Sequence, residues 1–110
     1  MSARPRLGVL LSGGGRTLQN LIDRIADDRL AAEIACVVSD RELAFGLSRA
    51  AKAGLPHACL QEAEDIYRYL REHRVELVCL CGYLRLLPIA EDFRGYLAPL
   101  VGDLPVVEGL

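Results

Sequence analysis

Residues 7–18 read LGVLLSGGGRTL, and this stretch decides the fold class. An apolar run ends at Ser12, three consecutive glycines follow, and the next residues have the spacing of a helix. This order is typical of a strand that leads through a glycine-rich turn into a helix. Backbone N–H groups at the start of a helix, with no Cβ atoms beside them, suit phosphate and other anions. The stretch therefore predicts a site for a phosphorylated small molecule.

The length and composition indicate one small folded domain. The chain has 110 residues, of which 52% are hydrophobic and 25% are charged, so it can form a core. Its net charge of −2 argues against a nucleic acid or a membrane surface as the partner. The longest apolar stretch, residues 77–84, is far shorter than the roughly 18 residues of a membrane span. The N-terminus lacks a signal-peptide pattern, so we expect a cytoplasmic protein.

The cysteines lie in apolar, strand-like runs, at positions 36, 59, 79 and 81. Without a secretory signal, we expect reduced thiols that pack in the core. Cys79 and Cys81 share one face of a strand, but a C-x-C spacing alone is not a zinc pattern. The sequence therefore predicts no metal site.

Strand-like and helix-like segments alternate along the chain. We expect strands at residues 7–11, 33–38, 57–60 and 76–81, and helices at residues 16–29, 44–53 and 63–73. A short helical piece at residues 88–93 follows, and then a loop-like tail with one short strand at residues 105–108. This alternation predicts a Rossmann-like α/β fold, in which a parallel sheet of strand order 3-2-1-4 carries helices on both faces.

The strand order also predicts where a ligand binds. The first and fourth strands become neighbours, and ligands of such sheets bind beyond the carboxyl ends of the strands where the winding reverses. Two loops flank this crevice: the glycine loop (residues 12–17) and the apolar loop (residues 82–87). The topology therefore predicts one site with two walls.

The glycine loop differs from the standard nucleotide motifs. Leu18 occupies the place of the third glycine or alanine of the dinucleotide fingerprint, and the Gly-Lys-Ser/Thr of a P-loop is absent. A shorter anion-binding loop fits better, in which Arg16 adds charge and the Thr17 hydroxyl donates a hydrogen bond. The alternative is a tight turn in which the glycines are needed only for the backbone conformation.

The apolar loop also allows two interpretations. Leu84, Leu86 and Leu87 either line a pocket for a flat, partly apolar ligand or pack in the core. Arg85 is either a ligand contact or a solvated charge.

Three further polar residues have ordinary structural explanations. His57 opens the third strand, and His73 ends the third helix, where a positive charge suits the helix dipole. Asp40 ends the second strand, where a nucleotide fold places a ribose-binding acid, but an aspartate is equally natural in a turn.

Four stretches of the chain resemble the phosphoribosylglycinamide formyltransferases, the folate-dependent enzymes of purine synthesis. They are VLLSGGGRTLQNLID at residues 9–23, VVSDR at 37–41, AFGLSRAAKAGLP at 44–56 and LVCLCGYLRLL at 77–87. The resemblance keeps the family's order and extends over residues 7–95. It covers the N-terminal half of the family's domain.

The resemblance implies a role for each loop. The phosphate of glycinamide ribonucleotide would be held by Gly13, Gly14, Gly15, Arg16 and Thr17. The pterin of the co-substrate 10-formyltetrahydrofolate would be lined by Leu84, Arg85, Leu86 and Leu87. Many members of the family have Ser-Asn in place of Arg16-Thr17, so we expect the side-chain contacts to differ there.

The chain departs from the family after residue 95. The family continues into a strand with an Asn-x-His-Pro-Ser motif and then a catalytic Asp, whereas residues 96–110 read YLAPLVGDLPVVEGL. Formyl transfer to an amine needs a donor for the developing oxyanion and a group that manages protons. We therefore treat residues 1–95 as a truncated formyltransferase-like domain and residues 96–110 as a divergent tail. We assign no catalytic residue and expect the isolated chain to be inactive or very weak.

Two hypotheses compete with that of a formyltransferase segment. One is a non-catalytic module that binds a phosphorylated metabolite or joins a partner subunit; the other is a nucleotide-binding Rossmann fragment. An open edge at the fourth strand would also invite pairing. We expect either Val106-Val107 or a second chain, in a homodimer or with a partner, to cover this edge.

Overall fold

The computed structural model describes residues 4–85 and 87, together with the backbone of two strands in the tail. The strands are β1 (Arg6–Leu11), β2 (Glu33–Ser39), β3 (His57–Cys59), β4 (Leu77–Leu80), β5 (Leu97–Val101) and β6 (Leu104–Pro105). The helices are α1 (Arg16–Ala26), α2 (Phe45–Lys52) and α3 (Ala63–Glu72). The strands form one sheet of order β3-β2-β1-β4-β5-β6.

The predicted arrangement of the first four strands is confirmed. β1 pairs in parallel with β2 on one side and with β4 on the other, and β3 pairs in parallel with β2. The seven predicted elements all form and differ from the prediction only at their ends. The sequence pattern thus located the point between β1 and β4 where the winding reverses.

Both faces of the sheet are buried. Successive side chains of a strand point to opposite sides of the sheet, so each strand contributes to two core clusters. Leu7, Val9 and Leu11 of β1 pack in a cluster with Leu18 and Leu21 of α1 and with α2. The intervening Leu10 packs in the opposite cluster with Ile66 and Leu70 of α3. Helices α1 and α2 therefore cover one face of the sheet, and α3 covers the other.

The edge of β4 is covered by a different part of the tail from the one that we predicted. β5 pairs in parallel with β4, with Leu97 opposite Val78 and Pro99 opposite Leu80, and β6 pairs antiparallel with β5. The predicted loop is thus a strand at residues 97–101, and β5 takes the edge that we assigned to Val106-Val107 or to a second chain. The glycines and prolines of the tail predicted a loop, but Pro99 fits the strand because it lies at the last pair of the β4–β5 ladder.

Other predictions for the C-terminal part fall outside the described residues. These are the helical piece at residues 88–93 and the segment containing Val106-Val107. In the part of the chain that the structure describes, no helix is long and apolar enough to cross a membrane.

Candidate functional site

The two predicted walls of the crevice meet at the carboxyl ends of β1 and β4. The backbone N–H of Leu84 donates a hydrogen bond of 2.9 Å to the Ser12 hydroxyl, which is buried. Leu87 packs against the core cluster on the α3 face, and Leu86 lies outside the described residues. The structure thus brings the glycine loop and the start of the apolar loop together.

The glycine loop leads directly into the uncapped N-terminus of α1. Gly15 is the N-cap residue, and its carbonyl accepts the first helical hydrogen bond, of 2.9 Å, from Gln19. In the described residues, no side chain caps this helix, and its first turn contains no acidic residue. The N–H groups of a first turn have no partner within the helix and lie at the positive end of its dipole. This end of α1 is therefore suited to an anion.

The backbone conformation and packing at position 15 require a glycine. Its φ of 75° is in the left-handed region, and an added Cβ atom would lie 2.6 Å from the Cα atom of Gly46 in α2. A side chain at this position would be strained and would push α1 away from α2. The absence of a side chain at position 15 therefore has a structural reason, the close packing of α1 against α2.

Gly13 and Gly14 have a different environment. A Cβ atom added to either residue would meet no described atom within 4 Å, and neither residue has a positive φ. Both lie on an open face of the loop, so the backbone of the loop is accessible there.

Two residues of helix α2 donate hydrogen bonds to carbonyl groups of the glycine loop. The N–H of Gly46 donates a hydrogen bond of 3.0 Å to the carbonyl of Gly13, and Nε of Arg49 donates one of 2.7 Å to the carbonyl of Gly14. The sequence prediction included neither Gly46 nor Arg49 in the site. A glycine inside a helix lowers the stability of the helix by about 1 kcal/mol relative to alanine. Its presence in a predicted helix can therefore indicate that another segment packs closely against it.

The remaining predicted side chains belong to the two segments that flank the crevice, and they are charged, polar or apolar. Arg16 is exposed and Thr17 is half-buried in the first turn of α1. In the apolar loop, Leu84 is 72% exposed and Arg85 is exposed. The crevice therefore combines cationic side chains with an unusually exposed leucine.

Asp40 is buried, with 8% of its surface exposed, which disfavours the ribose-binding role. Its carbonyl accepts a hydrogen bond of 3.1 Å from the Gln61 amide, and its Oδ1 atom has no hydrogen-bond partner in the described residues. Burial raises the pKa of the nearby Tyr83 hydroxyl, Asp40 raises it further, and Arg85 partly offsets both effects. Asp40 is thus enclosed within the protein, beneath the crevice surface.

Neither histidine lies in the crevice. His57 lies on β3 at one edge of the sheet, with Nδ1 2.9 Å from the Leu55 carbonyl. His73 follows α3, where its ring packs on Tyr69 with ring centroids 4.5 Å apart. Both contacts are those of structural residues.

Three of the four cysteines are buried, and Cys59 is partly exposed. Burial raises the pKa of the Cys36, Cys79 and Cys81 thiols to about 12, so they remain protonated at neutral pH. Within residues 4–85 and 87, no three metal-ligating side chains come together.

Two cavities lie away from the crevice, near the amino ends of the strands. One, of about 440 Å³, lies between the ends of α1 and α2 and is lined by residues such as Ile22, Ile25 and Leu55. The other, of about 410 Å³, is lined by charged residues such as Arg6, Glu33 and Glu72. The glycine loop lines neither cavity and faces open space instead.

Residues 5–91 match the family model described as Formyl transferase. The chain belongs to the formyl transferase family. The family resemblance that four sequence stretches indicated is therefore confirmed.

Relatives of this formyl transferase chain have names from purine biosynthesis. The trifunctional purine biosynthetic protein adenosine-3 of Drosophila pseudoobscura pseudoobscura is 39% identical over 107 residues, which cover 86% of this chain and 8% of that protein. The phosphoribosylglycinamide formyltransferase of Haemophilus influenzae is 36% identical over 91 residues, which cover 74% of this chain and 43% of that protein.

A solved structure has the same fold. Glycinamide ribonucleotide transformylase 1 from Symbiobacterium toebii superposes with a TM-score of 0.82 at 32% identity, covering 90% of this chain and 52% of that chain. The formyl transferase chain thus spans about half the length of this solved relative and corresponds to the N-terminal part of the domain.

Proposed function

We propose that this chain forms the substrate-phosphate part of a phosphoribosylglycinamide formyltransferase and binds glycinamide ribonucleotide through the glycine loop. The observation that carries the proposal is the uncapped N-terminus of α1 behind the open backbone of Gly13 and Gly14. The relatives' names supply the substrate, since they describe glycinamide ribonucleotide transformylases.

The loop contributes to phosphate binding mainly through its backbone. N–H groups at the positive end of a helix stabilise an anion without a side-chain partner. Arg16 is exposed beside them and adds a positive charge, and Thr17 adds a hydroxyl in the same turn. Backbone recognition also explains how these two residues can replace the Ser-Asn of many family members.

The apolar loop supplies part of the surface for 10-formyltetrahydrofolate. Leu84 leaves a large apolar side chain exposed at the crevice, which suits contact with a flat pterin ring. Arg85 is exposed next to it, whereas Leu86 and Leu87 are assigned to this surface by the family resemblance alone, and Leu87 also packs against the core cluster. Because no catalytic residue is assigned here, the proposal concerns substrate and co-substrate binding.

A calorimetric titration with glycinamide ribonucleotide tests the proposal. The parent chain should bind, and Gly14→Val should weaken binding at least about tenfold, because its side chain fills the open face of the loop. Gly14→Val is preferable to a change at Gly15, where a side chain would strain the backbone. Ala31→Val, which likewise places a valine at an exposed position, here between α1 and β2, should bind like the parent.

Two further ligands separate phosphate recognition from other contacts. Ribose 5-phosphate should compete with glycinamide ribonucleotide, and glycinamide riboside without the phosphate should bind far more weakly. Equal affinity for the riboside and the ribonucleotide, or unchanged binding by a folded Gly14→Val variant, would overturn the assignment of the loop.

A further inference from the structure

We propose that Arg49 is a positioning residue that holds the Gly14 peptide so that the glycine loop presents its N–H groups to an anion. The inference rests on the proposed function for the identity of the ligand. The contact that carries it is a hydrogen bond of 2.7 Å, which Nε of Arg49 donates to the carbonyl of Gly14.

Three groups hold the Arg49 guanidinium in place. Besides Gly14, its Nη1 donates a hydrogen bond of 3.3 Å to Oε1 of Gln19 in α1. Its Cζ atom lies 4.8 Å from the ring centroid of Phe45. A planar guanidinium can donate in two directions while it stacks on a ring, which a lysine ammonium cannot do. Arg49 therefore links α2, α1 and the glycine loop.

The two loop carbonyls that are bound from α2 determine where the loop's N–H groups point. Every described peptide bond is trans, and in a trans peptide the C=O and N–H groups point in opposite directions. The Gly13 carbonyl points to Gly46, so the N–H of Gly14 points away from α2. The Gly14 carbonyl points to Arg49, so the N–H of Gly15 also points away. Two successive N–H groups directed away from α2 are therefore available as donors to an anion.

The close packing of Gly46 brings Arg49 within reach of the loop. A Cβ atom at Gly46 would lie 2.6 Å from both methyl groups of Leu11 and 3.2 Å from the Gly13 carbonyl oxygen, so α2 lies directly against the loop. Arg49 follows three residues later and is therefore on the same side of the helix. Glycine at position 46 and arginine at position 49 thus act together in positioning the loop.

A comparison of Arg49→Met with Arg49→Lys tests this role. Arg49→Met removes the charge and the donors, whereas Arg49→Lys keeps the charge and loses the planar arrangement of donors. Arg68→Met is the matched control, because Arg68 is an exposed arginine on α3 with ion pairs to Glu64 and Asp65.

Two measurements are made on each variant: the affinity for inorganic phosphate and for glycinamide ribonucleotide, and the NMR order parameters of the Gly14 and Gly15 amides in the ligand-free protein. We expect Arg49→Met to weaken binding at least about tenfold and to lower the order parameters of both amides, because the Gly14 peptide loses the group that holds it. Arg49→Lys should recover only part of each property, and Arg68→Met should match the parent.

Two results would overturn the inference. One is complete recovery of affinity by Arg49→Lys, which would show that the charge alone matters. The other is unchanged order parameters at Gly14 and Gly15 in Arg49→Met. If Arg49→Met does not fold, Phe45→Ala, which removes the ring against the guanidinium and keeps the charge, should give a smaller effect of the same sign.

The two measurements separate this inference from the proposed function. If the parent binds neither phosphate nor the ribonucleotide, the proposed function fails. The order parameters of the ligand-free variants still decide whether Arg49 positions the Gly14 peptide.

Discussion

The backbone N–H of Leu84 donates a hydrogen bond of 2.9 Å to the hydroxyl oxygen of Ser12. Ser12 follows β1 and Leu84 follows β4, so the bond joins the loops of two strands that are neighbours in the sheet but far apart in sequence. Ser12 is 1% exposed, so water cannot readily replace it as the acceptor. One buried hydroxyl thereby sets the distance between the proposed phosphate wall and the proposed folate wall.

Ser12→Ala should lower the free energy of unfolding by about 1 kcal/mol, because it leaves the Leu84 N–H without this acceptor. Amide hydrogen exchange at Leu84 should also become faster. Urea unfolding and exchange measurements check both effects. Ser48→Ala, at an exposed position on α2, is the control and should change neither quantity.

Gly46→Ala should destabilise the protein by about 1 to 3 kcal/mol. In an open helix this change would stabilise by about 1 kcal/mol, but here the Cβ atom would lie 2.6 Å from the methyl groups of the fully buried Leu11. Gly13→Ala, with open space around its Cβ atom, should stay within about 0.5 kcal/mol of the parent in the same urea unfolding measurement. A neutral Gly46→Ala variant would refute the close contact between α2 and β1.

The stability of the protein should fall above about pH 9. Burial raises the pKa of the Cys36, Cys79 and Cys81 thiols from 9.0 to about 12 in the folded protein. Their contribution is complete below pH 9 and is lost as the pH rises toward 12, because the unfolded chain releases protons that the native state retains.

The expected loss by about pH 10 is about 1 kcal/mol for each buried thiol. Urea unfolding under reducing conditions at about pH 8 and about pH 10 measures this difference. Replacing Cys36 by alanine should make the pH dependence less steep. A free energy of unfolding that stays constant over this range would show that the thiols are not buried as described.

The isolated chain should bind glycinamide ribonucleotide without transferring a formyl group at a measurable rate. Its two loops supply binding surfaces, whereas the transfer also requires a donor to the oxyanion and a group that manages protons. Incubation with 10-formyltetrahydrofolate and glycinamide ribonucleotide, followed by detection of the formylated product, checks this expectation. Product above the rate without protein would reveal a catalytic residue among those that we leave unassigned.

The sequence predicted the features that depend on local patterns. The apolar periodicity of residues 18–26 indicated the buried face of α1, and the apolar runs indicated the strands that are buried on both faces. The order of these elements was sufficient for the strand order, because right-handed crossovers leave few alternatives. The two loops at the carboxyl ends of β1 and β4 followed from that order.

The missed features depend on contacts between distant residues. Arg49 is one of two charged residues on α2, and only the packing of α2 against β1 brings it to the Gly14 carbonyl. The β5 strand was missed because the three glycines and two prolines of residues 95–110 indicated a loop, whereas its pairing with β4 depends on the edge that it covers. Gly15 and Gly14 also differ through a distant residue. Gly46 lies where a side chain of residue 15 would be, whereas the space beside Gly14 is open.

The most direct test of the central claim is an NMR titration of the chain with glycinamide ribonucleotide, with every backbone amide followed separately. We predict saturable shifts that are largest at the amides of residues 13–17 and that ribose 5-phosphate reproduces there. Shifts confined to the cavity around Ile22, Ile25 and Leu55, or no saturable shifts in a folded chain, would contradict the assignment of the glycine loop as the phosphate site.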